Sequence, residues 1–241
     1  MWYYPMEWLY DIAAAPSILN VYYDMQFLAD NDCRGIFCET GLTYGNGFAE
    51  LTDYMMGRCM WNPYMSYEEY VAQCKEYLYI MYGDGYEIIW DYYLSYEESF
   101  HINNDLCWSN MQHAPQAKID INYVREHYDQ WWEMYMKARL LCSNEKQQKN
   151  LEICFIHMNV LGIAFTHTSR YLNGTEKERT VIAERYTHLH EIMKKYDRRV
   201  TYAFDMEHKP WPDKLDLNLN PLMVDGINRN NTSWNEDFLK G

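Results

Sequence analysis

The chain has 241 residues, 48% of them hydrophobic and 17% aromatic, and 35 Asp and Glu against 21 Lys and Arg give it a formal charge of −14 at pH 7. That much apolar side chain can bury a sizeable core, which excludes wholesale disorder. An acidic chain whose basic residues are scattered offers no stripe to a phosphate backbone, so nucleic acid is excluded as an expected partner.

The first fifty residues read differently from the rest. Trp2-Tyr3-Tyr4 is a short aromatic run of strand type. After a Pro-marked loop, residues 18–29 place Leu19, Tyr22, Tyr23, Gln26 and Phe27 at helical spacing, and Asp30-Asn31-Asp32 stops the helix. Residues 33–38 then form a compact strand candidate, followed by a glycine-rich loop over 41–47. Strand, helix, strand, with the second strand expected to be buried on both faces, is a βαβ unit. One such unit cannot close a barrel, and nothing later in the chain offers further parallel strands, so these residues look like the end of something larger.

From Phe48 onward the spacing is helical. Phe48, Leu51, Tyr54, Met55 and Cys59 share a face that Trp61-Asn62-Pro63 ends. Ser66 and Glu69 match a capping box ahead of Tyr70, Val71, Cys74, Leu78 and Met81. Gly83-Asp84-Gly85 breaks that helix, and another runs from Ile88 toward Ser99, with residues 103–118 read as loop. Further helices are expected over about 122–142, about 145–171 and from 176 to about 202, the last behind a second capping box of Thr175 and Glu178. Residues 151–165 are apolar on nearly every side, the mark of a central bundle helix. After Asp205 the prolines and paired asparagines read as an extended tail. The fold class expected is therefore mainly α, a C-terminal helical bundle behind a βαβ segment, divided as residues 1–47, 48–204 and 205–241.

No stretch reaches the roughly 20 apolar residues that span a bilayer, so no membrane is expected. The opening Met1-Trp2-Tyr3-Tyr4-Pro5 has neither a basic region nor an apolar run, which makes the chain as given read as cytoplasmic, an extracellular site requiring a signal upstream. Seven cysteines, mostly within helical patterns and without a C-x-x-C pair, read as reduced buried thiols. The histidines lack metal-ligand spacing, so no metal is expected. The 41–47 loop has neither a Gly-Lys-Ser/Thr ending nor a G-x-G-x-x-G pattern, so no nucleotide and no other cofactor is expected.

Glu39 is the sharpest candidate catalytic residue. It follows a strand and precedes a glycine-rich loop, where βα architectures place ligand-facing groups. The bland reading is a loop carboxylate paired with Arg34 or left in water. Glycosidic cleavage ordinarily uses two carboxyls, and only one is evident here. Trp2, Tyr4 and Trp8 offer aromatic faces to sugar rings, with core packing as the rival reading, and Tyr44 and Asn46 are polar candidates in the loop after Glu39. His157, on the apolar stretch, reads as a core histidine rather than a base.

The order Leu28-Ala29-Asp30-Asn31, Gly35-Ile36-Phe37-Cys38-Glu39, Gly47-Phe48-Ala49-Glu50-Leu51, Tyr54-Met55-Met56, Trp61-Asn62-Pro63 and Tyr82-Gly83 resembles the C-terminal part of proteins carrying domain of unknown function 4838. These are similar to α-glucuronidase-type and hexosaminidase-type glycoside hydrolases. The likeness covers residues from about 2 to 96. It implies that residues 2–4 and 33–38 are the last two strands of a TIM barrel, that Glu39 faces a sugar site, and that Trp61-Asn62-Pro63 leads into a helical C-terminal region. The earlier barrel strands, and any general acid on them, are absent from this sequence.

The expected function is that of a glycoside-hydrolase-like, carbohydrate-active protein, a C-terminal fragment acting on or binding glycans and not catalytically complete by itself. The alternative is a non-catalytic helical interaction module that docks on a partner chain. Expected partners are a glycan or oligosaccharide and a missing barrel segment or another chain.

Overall fold

Apolar residues at helical spacing account for most of the architecture of the computed structural model, which describes residues 1–3, 18–38, 47–101, 119–196, 200–202 and 205–209. It is mainly α. Strand β1 (Trp2–Tyr3) pairs in parallel with β2 (Phe37–Cys38), Trp2 opposite Phe37 and Tyr3 opposite Cys38, and α1 (Ile18–Asp30) lies between them in sequence. The ladder is tied at its start by the Met1 ammonium, which donates to the Gly35 carbonyl at 3.0 Å, and by the Phe37 N–H, which donates to the Met1 carbonyl at 2.8 Å. The strand expected over 33–38 is realised only in its last two residues. Its expected burial on both faces is corrected too, because Phe37 is 54% exposed. A parallel strand is buried on both sides only where other elements cover it, and α1 gives its apolar face to the helices instead.

That face, Ile18, Val21, Tyr22, Met25 and Leu28, packs on α2 (Ala49–Trp61). Next comes α3 (Tyr67–Tyr82), opened by Ser66, whose hydroxyl accepts from the Glu69 N–H at 3.1 Å. The other arm of that capping box is not made, since the Glu69 carboxylate accepts from Gln73 at 3.1 Å instead. The chain passes through a 3₁₀ turn at Gly83–Gly85, where Gly83 has φ of 80°, a left-handed conformation that favours glycine. Helix α4 (Tyr86–His101) follows at once.

Asp120 opens α5 (Ile121–Leu140) by accepting from the N–H groups of Asn122 and Tyr123. The single helix expected over 145–171 is three pieces: α6 (Glu145–Cys154), α7 (Ile156–Thr166) and a π-helical turn, His167–Leu172. The break falls at Phe155, whose ring is fully buried with its centroid 4.7 Å from that of Tyr92 and 5.2 Å from that of Tyr135. The Phe155 N–H still donates to the Leu151 carbonyl and its carbonyl accepts from the Asn159 N–H, while the neighbouring Cys154 carbonyl accepts from His157 Nδ1 at 2.6 Å. Helix α8 (Glu176–Lys195) begins with the complete capping box of Thr175 and Glu178. It stops before residue 202, because Val200–Tyr202 is a strand, β3, antiparallel to β4 (Asp205–Lys209). The stretch over 103–118 read as loop lies outside the described residues.

All eleven residues of α7 are buried, between α5 and α8. One hydrophobic cluster runs from Ile18 to Met193, so α1 shares its core with the later helices.

Candidate functional site

Of the residues singled out for sugar chemistry, Glu39, Tyr4, Trp8, Tyr44 and Asn46 lie outside the described residues, and Trp2 is placed by its backbone in β1. Strand β2 ends at Cys38, so Glu39 is the next residue in sequence after the carboxyl end of a parallel strand. Beside Trp2, the Tyr3 hydroxyl donates to the Asp24 carboxylate at 2.6 Å and fastens β1 to α1. Burial, then the Asp24 carboxylate, push this phenol far above its ordinary value, so it stays a donor.

His157 sits on the fully buried α7. Its Nδ1 lies 2.6 Å from the Cys154 carbonyl and must carry the proton to bond there, which leaves Nε2 to accept from the Tyr92 hydroxyl at 2.7 Å. Burial lowers its pKa to about 4, the bond to the Cys154 carbonyl opposing only in part. This neutral imidazole, packed against Phe48 and Tyr96, is a core element. Trp131 is likewise fully buried, and its indole N–H donates to the Ser95 hydroxyl at 2.9 Å.

Two charged networks were not evident in the sequence. Glu152, with a side chain 2% exposed, accepts from Arg139 and Gln148 at 2.9 Å each, from Tyr196 at 2.5 Å and from Lys195 at 3.3 Å. Burial alone would raise this carboxyl; the bonds from Tyr196, Gln148 and Arg139, with the Lys195 charge, outweigh burial and hold it at about 2. Asp129 takes Arg170 at 2.8 Å and Arg185 at 2.7 Å, and the Arg185 guanidinium lies over the rings of Tyr128 and Trp132 at 4.6 and 5.1 Å. Both networks join helices. The available signal was a carboxylate inside an apolar run, Leu151-Glu152-Ile153.

A cavity of about 260 Å³ opens at the amino end of β2, between the last turns of α1 and α2. It is lined by Met25, Cys33, Arg34, Ile36, Cys59 and Met60, among others, and no carboxylate or histidine is among the described residues that line it. Both cysteines are free thiols, and burial pushes Cys59 up to about 11. In the sequence these sulfurs read only as apolar positions. The cavity lies at the end of β2 opposite the one that Glu39 follows. Among the described residues no group of three or more His, Cys, Asp and Glu side chains is placed to hold a metal ion, and no helix is long and apolar enough to cross a membrane. Comparison of the chain with protein-family models, with curated proteins and with solved structures gives no match.

Proposed function

We propose that this chain is the helical C-terminal portion of a carbohydrate-active protein, contributing the last βα unit of a larger α/β sheet and a site at Glu39 that acts on or binds glycans. The observation that carries the reading is the parallel pairing of β1 with β2 across α1. Parallel pairs belong to sheets covered on both faces, and two short strands do not make one. The apolar surface on the same unit points the same way. Helix α1 buries one face in the bundle yet carries Tyr23 and Phe27, one helical turn apart, at 59% and 65% exposure. Such a second apolar face is what a helix next to further βα units would present. Glu39 then follows the strand end at which βα folds gather their ligand-binding groups.

The test uses the native full-length protein and a panel of oligosaccharides containing uronic acids and N-acetylhexosamines. Hydrolysis or binding of at least one glycan is expected, with Glu39→Gln slowing turnover at least about a hundredfold, the scale of a lost acid-base group. Activity unchanged in Glu39→Gln on every responsive glycan would remove Glu39 from the site, and no glycan response at all would overturn the reading.

The second reading, a non-catalytic module docking on a partner chain, is favoured by the same exposed Tyr23 and Phe27. A glycan-silent protein that is nevertheless held in a stable assembly through this face is its expected signature.

A further inference from the structure

We propose that the cavity between the last turns of α1 and α2 binds a medium-chain carboxylate, its alkyl chain inside the cavity and its acidic head at Arg34. This space lies at the end of β2 opposite the one that Glu39 follows, so it is separate from the glycan site proposed there. Its wall is mostly apolar: Met25 and Leu28 on α1, Ile36 just ahead of β2 and Met60 on α2 meet around it. Two of these are methionines, whose unbranched thioethers adapt to a flexible chain.

Size and charge narrow the ligand. The volume of about 260 Å³ is just below the roughly 300 to 1,000 Å³ of sites for larger molecules, and at ~30 Å³ for each water-sized group it holds about eight or nine methylenes in a row. Arg34 carries the one charge among the described residues of the lining. It is exposed, and its guanidinium forms no hydrogen bond or ion pair with the described residues. Asp30, four positions earlier at the end of α1, accepts from the Tyr64 hydroxyl at 3.1 Å instead. In a chain of net charge −14, a guanidinium without a carboxylate partner, set at the solvent edge of an apolar space, complements a ligand with one acidic head and one apolar tail. The flat fork of the guanidinium matches the two oxygens of a carboxylate.

The experiment titrates the full chain calorimetrically with straight-chain carboxylates from hexanoate to tetradecanoate, each below its micelle concentration. Wild type is expected to take up one saturable equivalent, with affinity rising about three- to fourfold per added carbon as far as about decanoate and levelling off once the cavity is full. Decanol, of the same length without the charge, should bind at least about fivefold more weakly. Arg34→Gln, at an exposed position, should weaken decanoate by at least about the same factor and leave decanol unchanged. Ala29→Phe, at a half-buried position of the lining, should fill the space and remove binding of both. If that larger ring prevents folding, as circular dichroism would show, Arg34→Gln and the chain-length series decide. The proposal is overturned by the absence of saturable binding in wild type, by affinity that keeps rising to tetradecanoate, by decanol binding as tightly as decanoate, or by undiminished decanoate binding in Arg34→Gln.

Discussion

His157 shows how a single buried polar group constrains its neighbours. With the Nδ1 proton on the Cys154 carbonyl, Nε2 has one acceptor position and Tyr92 fills it. Removing the hydroxyl in Tyr92→Phe leaves a buried nitrogen without its donor, and the expected cost is about 1 to 3 kcal/mol with little change in packing volume. Urea denaturation of the two proteins checks this; equal midpoints would mean that the imidazole has another partner. Gly162 is held to its size in a similar way, since a Cβ there would meet the Tyr128 ring at 2.1 Å. At this scale the sequence was partly readable. A histidine on a helix apolar all round reads as core, but neither Tyr92 nor Cys154 could be named as its partner, because 65 residues separate His157 from Tyr92 and only the packed bundle brings them together.

Among the elements, α5, α6 and α8 are clamped by Glu152. Its bonds come from Arg139 on α5, Gln148 on α6 itself, and Lys195 and Tyr196 at the end of α8. A carboxyl held at about 2 when folded, against an ordinary value of 4.5, binds its proton less readily in the native state than in the unfolded chain. Its contribution is therefore full above about pH 4.5 and is lost as pH falls toward 2. Glu152→Gln is expected to cost roughly 2 to 3 kcal/mol at pH 7, by the linkage between pKa and stability, and the gap from wild type should close on acidification. Denaturation curves at pH 7 and pH 3 measure this, and a gap that does not narrow would contradict it. Element boundaries followed local chemistry where that chemistry is local. Thr175 and Glu178 mark the start of α8 in both sequence and structure, because a capping box involves only neighbouring residues. The break at Phe155 was not visible, because nothing in its immediate neighbours marks it. The Cys154 carbonyl there accepts from the buried His157 ring, and the Phe155 ring packs on Tyr92 and Tyr135, which belong to two other helices. The end of α8 was missed for the same reason, since Tyr196 turns to bond Glu152.

For the whole molecule, the alternation of strand, helix and strand followed by continuous helical spacing was enough to read a mainly α protein with a βαβ segment. What the pattern could not give was the depth of burial of that segment. Residues 33–38 are apolar enough for an interior strand, yet Phe37 is exposed, as are Tyr23 and Phe27 on α1. In the proposed reading this exposed apolar surface is where a neighbouring element would sit. The cavity at the amino end of β2 was not legible for a different reason: its lining residues come from 25–36 and 59–63, two stretches far apart in sequence that the packing of α1 on α2 brings together. The central claim is that this chain ends a larger α/β sheet, and the native mass of the species containing it tests that most directly. Antibody to residues 47–101 would be used on extracts of the source cells, by denaturing blot and by sedimentation under native conditions. The account predicts a polypeptide or stable assembly well above the 29.2 kDa of these 241 residues. A folded monomer of 29.2 kDa would contradict it.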